Sequence, residues 1–425
     1  MQQRFSLGID LGTSNSAVAL SEVDNDQTNI IDVTQVLGPN QIGEKPTLPS
    51  ALYIPHPDEF PEGAFPLPWP SDPRSIIGLF ARDHGALVPD RLVTSAKSWL
   101  SNPHIDPRQR SLPWKSEISE EKLSAFDCSR SYLDHMRESF LFAVRNQGKD
   151  FDLADGQVVL TIPASFDDIA RNLTAEAAEA AGLGKVVLLE EPLAAFYAWT
   201  AQAGKDWRAH VRPGDIVLVC DVGGGTADFS LIAISEKDGE LDLNRISVGE
   251  HILLGGDNMD LALAYALRAK LEADGKSITD MQFLSLTHSA GKAKVAMLED
   301  ESMNEFPIAV PTRGSSLLGN TLSTTLDRQT VEQIVLNGFF ATTSVDDLPQ
   351  KARRTGLQEF GLPYAADPVI SKHLARFLTR SLENVRSSET LSALVSPELR
   401  SKSFLAPTAV LFNGGVFKAA ALRRR

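Results

Sequence analysis

Twice in this chain an apolar run stops at an aspartate and turns at once through glycines and hydroxyls. The first case is Leu7-Gly-Ile-Asp-Leu-Gly-Thr-Ser-Asn-Ser-Ala-Val-Ala-Leu20. The second is Ile216-Val-Leu-Val-Cys-Asp-Val-Gly-Gly-Gly-Thr-Ala-Asp-Phe-Ser-Leu231. Each reads as strand, tight turn and returning strand, with Asp10 and Asp221 in equivalent places. Glycine allows positive φ and close approach, so the N–H groups of such a turn can converge on one anion. A carboxylate beside that anion can hold a divalent cation, through water when the ion is magnesium. Two such turns facing each other would clamp a magnesium-triphosphate from both sides. A lone Gly-Gly-Gly is as readily a plain turn as a site; two copies in register, one per half of the chain, point to a shared task.

Composition bounds the reading. A chain of 425 residues is too long for one ordinary core, so two or three domains are expected. Apolar content of 43% with 23% charged residues is that of a soluble globular protein. The net charge of −14 argues against nucleic acid or an anionic membrane as the main partner. An acidic protein that binds triphosphate needs a metal and local basic groups. Cys128 and Cys220 cannot make a disulfide framework and read as buried thiols of a reducing compartment. The N-terminus runs almost directly into a strand without a signal pattern. No apolar run approaches the roughly 18 residues of a membrane span. The expected location is cytoplasmic.

The order of elements predicts an α/β layer architecture. After the first hairpin, Asn29 to Val36 alternates as a strand. Residues 55–73 hold seven prolines and read as an irregular surface loop. Arg91 to Leu100 and Glu120 to Asn146 have helical spacing. A strand, Gln157 to Pro163, precedes an alanine-rich helix from Asp167 to Gly182, which glycine stops. Val186 to Leu189 is a strand, and Glu191-Pro192 opens a helix. The segment Gly204 to Gly214 reads as the hinge between halves. Strands then start at Ile216, Leu241 and Ile246, followed by helices from Met259 to Glu272 and Thr287 to Leu298. Residues 300–330 read as strands of a small inserted subdomain. Helices around Arg328–Phe340 and Pro368–Ser388 lead to a strand, Thr408 to Phe412. A last helix is cut short at Arg423-Arg424-Arg425, as in a fragment or truncated chain.

Several chemistries lack their signatures. The sequence has no Gly-x-x-x-x-Gly-Lys-[Ser/Thr] loop, no His-Glu-x-x-His, no zinc-spaced cysteine pair and no Gly-x-Ser-x-Gly elbow. The eight histidines are scattered.

Gly8-Ile-Asp-Leu-Gly-Thr-Ser-Asn-Ser16 resembles the first phosphate motif of the actin-like ATPase superfamily, in the version of the seventy-kilodalton heat-shock (DnaK-like) chaperones. Ile162-Pro-Ala-Ser-Phe166 with Arg171, Leu189-Glu-Glu-Pro-Leu-Ala-Ala195 and Asp221-Val-Gly-Gly-Gly-Thr-Ala-Asp228 look like that family's next signatures. Leu254-Gly-Gly-Asp257 and Phe412-Asn-Gly-Gly415 resemble its later nucleotide-contacting turns. The match runs in order from residue 5 to residue 418 and covers the ATPase domain; the peptide-binding domain is not in this chain.

The resemblance implies an actin-like ATPase fold, with two lobes each built on a duplicated ribonuclease-H-like sheet and ATP in the central cleft. Lobe I would be residues 1–205, with an inserted subdomain at about 35–120. Lobe II would be residues 206–425, with an insertion at about 255–345. The implied function is a slowly hydrolysing ATPase domain of a chaperone, switching the angle between lobes. Asp10 and Asp221 would orient the waters of magnesium. Gly12, Thr13, Ser14 and Asn15 would hold the phosphates of ATP or ADP, with Gly223, Gly224, Gly225 and Thr226 on the other side. Lys97, in Val93-Thr-Ser-Ala-Lys-Ser-Trp99, matches the catalytic lysine; a solvated helix lysine is the plain alternative. Glu191 and Asp228 would position the attacking water or act as bases. Gly255, Gly256, Lys292, Lys294, Gly414, Gly415 and Val416 would complete the nucleotide site. Pro163 and Arg171 would relay nucleotide state. The family also implies a J-domain co-chaperone and a nucleotide exchange factor.

The chain departs from the family pattern in places. Gly291 stands where a glutamate holds the ribose, Leu298 where a serine lies near the base, and Val416-Phe417 replaces Ser-Thr. Weaker or differently shaped nucleoside contacts are expected. Two other readings are an actin-like filament protein and a nucleotide-sensing module with little hydrolysis; sugar kinase chemistry lacks a marked acidic base.

Overall fold

The computed structural model describes residues 5–23, 27–102, 104–114, 116–117, 121–149, 151–237, 240–310, 322–350, 362 and 364–425. The chain divides into two compact units. The first comprises Met1–Ile162, Phe166–Glu190 and Phe360–Leu362; the second comprises Pro163–Ser165, Glu191–Glu359 and Pro363–Arg425. The helix Glu191–Ala203 and the helical turns Gly204–Asp206 and Trp207–His210 therefore lie in the second unit.

In the first unit the central sheet runs in the order Val186–Glu190, Gly156–Ile162, Phe5–Asp10, Asn15–Glu22, Thr28–Ile31. The strand Phe5–Asp10 pairs in parallel with Gly156–Ile162 and antiparallel with Asn15–Glu22. Phe5, Leu7 and Ile9 alternate into the core. They join Leu133, Met136 and Phe140 of the helix Ala125–Asn146 in one apolar cluster. That helix starts where it does because the Ser124 side chain accepts from the Asp127 N–H. The helix Asp168–Ala180 is capped in the same way by Asp167.

In the second unit the sheet order is Glu240–Val248, Ala227–Lys237, Ile216–Val222, Ala409–Asn413. Again the aspartate-bearing strand has its sequence successor antiparallel on one side and a distant strand parallel on the other. The strand Ile216–Val222 is apolar throughout its first five residues because both its faces are covered. Leu218, Cys220 and Val222 join the main cluster with Leu263 and Leu267, while Val217 and Val219 pack with Phe196. The mixed α/β architecture and its duplication agree with the expected fold class.

Several expected boundaries move. Asn29 to Val36 is not one strand: Thr28–Ile31 ends the central sheet, and Val33–Gly38 pairs with Gln41–Lys45 in a separate ribbon. Arg91 to Leu100 is not one helix: Arg91 ends a 3-10 turn, Pro89–Arg91, and the α-helix covers only Ala96–Leu100, because Leu92–Val93 is drawn into pairing with Leu52–Tyr53. Leu241 and Ile246 lie on a single strand, Glu240–Val248, and a bulge between Leu231 and Ile232 absorbs the irregularity. The helix expected from Thr287 begins at Asp280, behind a capping box of Thr279 and Gln282. The hairpin Glu305–Val310 with Leu322–Asp327 forms within the expected insertion; residues 311–321 of that insertion lie outside the described residues, as does Glu120 at the expected start of the long helix. Among the described residues no helix is long and apolar enough to cross a membrane.

The proline-rich stretch is irregular, as expected, but well anchored. Glu59 accepts from the Tyr53 hydroxyl at 2.9 and 2.8 Å and from the His56 N–H at 3.0 Å, and His84 Nε2 lies 2.8 Å away. Phe60, Phe65 and Phe80 pack around the same point, and Trp69 stands edge-on to His135 of the long helix.

Candidate functional site

The turn after Asp10 is held from behind by a residue 38 positions away. The Ser50 hydroxyl donates to the Gly12 carbonyl at 2.7 Å and lies 2.9 Å from Ser16 Oγ, while the Ser50 N–H donates to the Ser14 carbonyl at 2.9 Å. With the Gly12 and Ser14 carbonyls drawn toward Ser50, the Thr13 and Asn15 amides, on the opposite sides of the same planar peptides, face away from it. A Cβ at Gly12 would stand 2.0 Å from the Asn15 carbonyl oxygen, so only glycine closes this turn. Asp10 caps the strand end, and Thr161 Oγ1 donates to its Oδ1 at 2.7 Å from the parallel neighbour.

The turn after Asp221 repeats this plan with different parts. Gly223 N–H donates to the Thr226 carbonyl at 2.9 Å. The carbonyls of Gly223 and Gly224 accept from the Gly256 and Asp257 N–H groups, at 3.0 and 2.7 Å. The first turn of the helix Gly256–Ala273 thus satisfies its own orphan donors on the glycine loop. Among the described residues no backbone carbonyl accepts from Gly224, Gly225 or Thr226 N–H. Those amides are left to donate to partners outside the loop's own backbone. Gly255 is glycine because a Cβ there would meet the Gly224 carbonyl oxygen at 2.4 Å. On the parallel neighbour, Asn413 Nδ2 donates to Asp221 Oδ2 at 2.8 Å, matching Thr161 in the first unit.

Asp221 and Asp228 are direct cross-strand partners. Like charges at such a position repel and lower stability unless something intervenes. Here each is held by a donor, Asp221 by Asn413 and Asp228 by Ser165, whose hydroxyl donates to Oδ1 at 2.8 Å. Between them opens a cavity of about 10 Å³, lined by Glu191, Asp221, Asp228, Pro163, Ala164 and Pro192 among others. That is room for a single water. An oxygen-only set of carboxylates fits a hard, hydrated cation such as magnesium. Among the described residues no group of three or more His, Cys, Asp or Glu could ligate an ion directly.

A third cluster gathers Gly224, Gly256, Lys294 and Val416. A Cβ on Gly256 would lie 3.3 Å from Lys294 Nζ, 3.5 Å from Val416 Cγ2 and 3.6 Å from Gly224 Cα. Lys294, 7% exposed, donates to the Gly256 carbonyl at 2.9 Å and pairs with Asp260 at 2.6 Å. Gly291 leaves room for that aspartate: a Cβ there would stand 2.6 Å from Asp260 Oδ2. Lys292 is exposed, two residues round the helix from Lys294, and so is not gathered with it. Gly414 has φ +85° and a Cβ on it would strike the Val222 carbonyl at 2.3 Å; Gly415 is exposed.

Lys97 lies on the short helix Ala96–Leu100 of the first unit and is 8% exposed, which removes the solvated-lysine alternative. Arg171 reaches Glu190 at 3.5 Å within the first unit.

Residues 6–345 match the family model for Hsp70 protein. The chain belongs to the Hsp70 family. It contains that family's nucleotide-binding domain, of actin-like ATPase fold. Among curated proteins it is similar to the chaperone protein HscA of Photorhabdus laumondii subsp. laumondii, 29% identical over 313 residues, 72% of this chain and 44% of that one. It is similar also to HscA of Pectobacterium carotovorum subsp. carotovorum, 30% identical over 307 residues, 71% of this chain and 43% of that one. The chain spans less than half the length of these relatives.

Against the Hsp70 pattern, sequence reading found the turns but missed their supports. Ser50, Thr161, Asp260 and His251 carry no motif of their own. Asn413 and Ser165 sat inside recognised motifs without a role. Pairing of parallel strands was the available signal for Thr161 and Asn413, since each lies one strand across from an aspartate.

Proposed function

We propose that this Hsp70-family domain binds ATP and ADP with magnesium and hydrolyses ATP slowly, as the switch of a chaperone. The observation that carries the reading is the water-sized cavity bordered by Glu191, Asp221 and Asp228 beside the glycine loop. In this reading Thr13, Ser14 and Asn15 of one turn, and Gly224, Gly225 and Thr226 of the other, donate to phosphate oxygens. Asp10 and Asp221 hold magnesium through its waters, and such an ion supplies charge neutralisation on the phosphates. Glu191 and Asp228 orient the attacking water. The buried Lys97 ammonium donates to the transferring phosphoryl group, where positioned charge is most of catalysis. Lys294 and Val416 serve the nucleoside, with Asp260 taking the space the family gives to a glutamate.

Pro163 and Arg171 are proposed as the relay of nucleotide state, supported by the Arg171–Glu190 ion pair at 3.5 Å. For the whole protein we propose a peptide-binding partner domain, a J-domain co-chaperone and a nucleotide exchange factor. A reducing cytoplasm is the proposed compartment. Cys128 and Cys220 are free and buried, and burial pushes both thiols up, away from reactivity.

The test is single-turnover ATP hydrolysis with magnesium for the wild-type chain and Lys97→Ala. Turnover should fall by roughly 10²–10³-fold, the cost of losing one transition-state donor, with ATP affinity largely kept. Equal turnover in both would remove Lys97 from catalysis. Tight binding with no turnover in either would favour a nucleotide sensor.

A further inference from the structure

Asp228 is gripped from two separate stretches of the second unit. Ser165 Oγ donates to its Oδ1 at 2.8 Å. His251 Nδ1 lies 3.1 Å from that same oxygen and 3.1 Å from Ser165 Oγ. The histidine is itself fixed, because its neighbour Ile252 exchanges both backbone hydrogen bonds with Ala227, next to Asp228 (2.9 and 3.3 Å). His251 and Asp228 side chains are only 16% and 18% exposed.

This triangle dictates the ring's protonation. A bare Nδ1 would set its lone pair against a carboxylate lone pair at hydrogen-bond distance. Nδ1 therefore carries the proton and shares it between Asp228 Oδ1 and Ser165 Oγ. Ser165 gives its own proton to the carboxylate and offers lone pairs to the ring. The pattern differs from that of a nucleophilic serine, whose proton goes to one ring nitrogen while the aspartate holds the other. Here serine and aspartate meet the same nitrogen, and the hydroxyl proton is committed to the carboxylate.

Two donors converging on one carboxylate oxygen fix the direction in which Asp228 presents its other lone pairs. We propose that Ser165 and His251 are positioning residues for hydrolysis, fixing the Asp228 side chain in the orientation in which it aligns the attacking water. The inference rests on the ATPase reading above and goes further by naming the two side chains that aim Asp228.

The experiment compares the single-turnover hydrolysis rate and magnesium-ATP affinity across four variants. Ser165→Ala and His251→Ala should each slow hydrolysis roughly 10-fold, the weight of one hydrogen bond to a charged group, with affinity within about twofold. His251→Asn, whose amide N–H falls where Nδ1 stood, should recover most of the rate. His251→Gln, whose amide falls where Nε2 stood, should not. Unchanged rates in the alanine variants, equal rescue by Asn and Gln, or losses that follow affinity alone would each overturn the inference while leaving the ATPase reading intact. A wild-type chain that binds ATP without hydrolysing it would overturn both.

Discussion

At the scale of single residues, the most informative side chain outside the site is His135. Its Nε2 donates to the Thr34 carbonyl at 2.9 Å, and it is 5% exposed beneath Trp69. Burial pushes its pKa down from 6.5 to about 4, partly opposed by that backbone hydrogen bond. The folded state thus keeps the ring neutral where the unfolded chain protonates it. Stability is complete above about pH 6.5 and drains away as pH falls toward 4. Between pH 7 and pH 5 the loss should be about 2 kcal/mol. Urea unfolding at the two pH values, for wild type and His135→Gln, measures it; the variant should lose most of this pH dependence. Nothing in the sequence marked His135 apart from the other histidines, because its state depends on a helix face meeting a strand 101 residues away. By contrast Gly12, Gly224 and Gly414 were legible, since glycine at a strand-end turn answers a local need for backbone approach that any side chain would obstruct.

At the scale of elements, central strands and long helices were legible because period and caps are local. Their margins were not. Val93 pairs with Leu52 as a strand residue in a stretch that carries helical spacing, a choice made by a partner 41 residues distant. The capping box at Thr279 and Gln282 was readable and would have placed that helix start correctly. The proline-rich stretch shows the limit best: its irregularity follows from proline, whereas its anchorage follows from Glu59. Hydrogen bonds from His84, His56 N–H and Tyr53 overcome the effect of burial and hold the Glu59 carboxyl below its usual range. Glu59→Ala would leave the Tyr53 hydroxyl buried without its acceptor and should destabilise the first unit by about 2 kcal/mol. Limited proteolysis should then cut within residues 55–73 faster than in wild type, and equal cutting would show that the aromatic packing suffices alone.

At the scale of the whole molecule, duplication was visible from the repeated aspartate turns, while the supports of those turns appeared only once the strands were paired. If both turns bind phosphate, magnesium-ATP at 100 times its Kd should stabilise the folded chain by about 2.7 kcal/mol. Thermal unfolding should shift upward by several degrees with magnesium-ATP and by less when the metal is chelated; no shift with either would remove the nucleotide reading. The two sheets also differ in how long each takes to be written. Every strand of the first central sheet lies before residue 191, so a ribosome has synthesised all of it before Ile216 is made. The second sheet waits: Asp221 meets Asn413 only after 192 further residues, roughly 10–40 s of synthesis. Through that interval the apolar strand Ile216–Val222 has an open edge on the nascent chain, so this chaperone-family domain is itself, for a time, in the condition of a client.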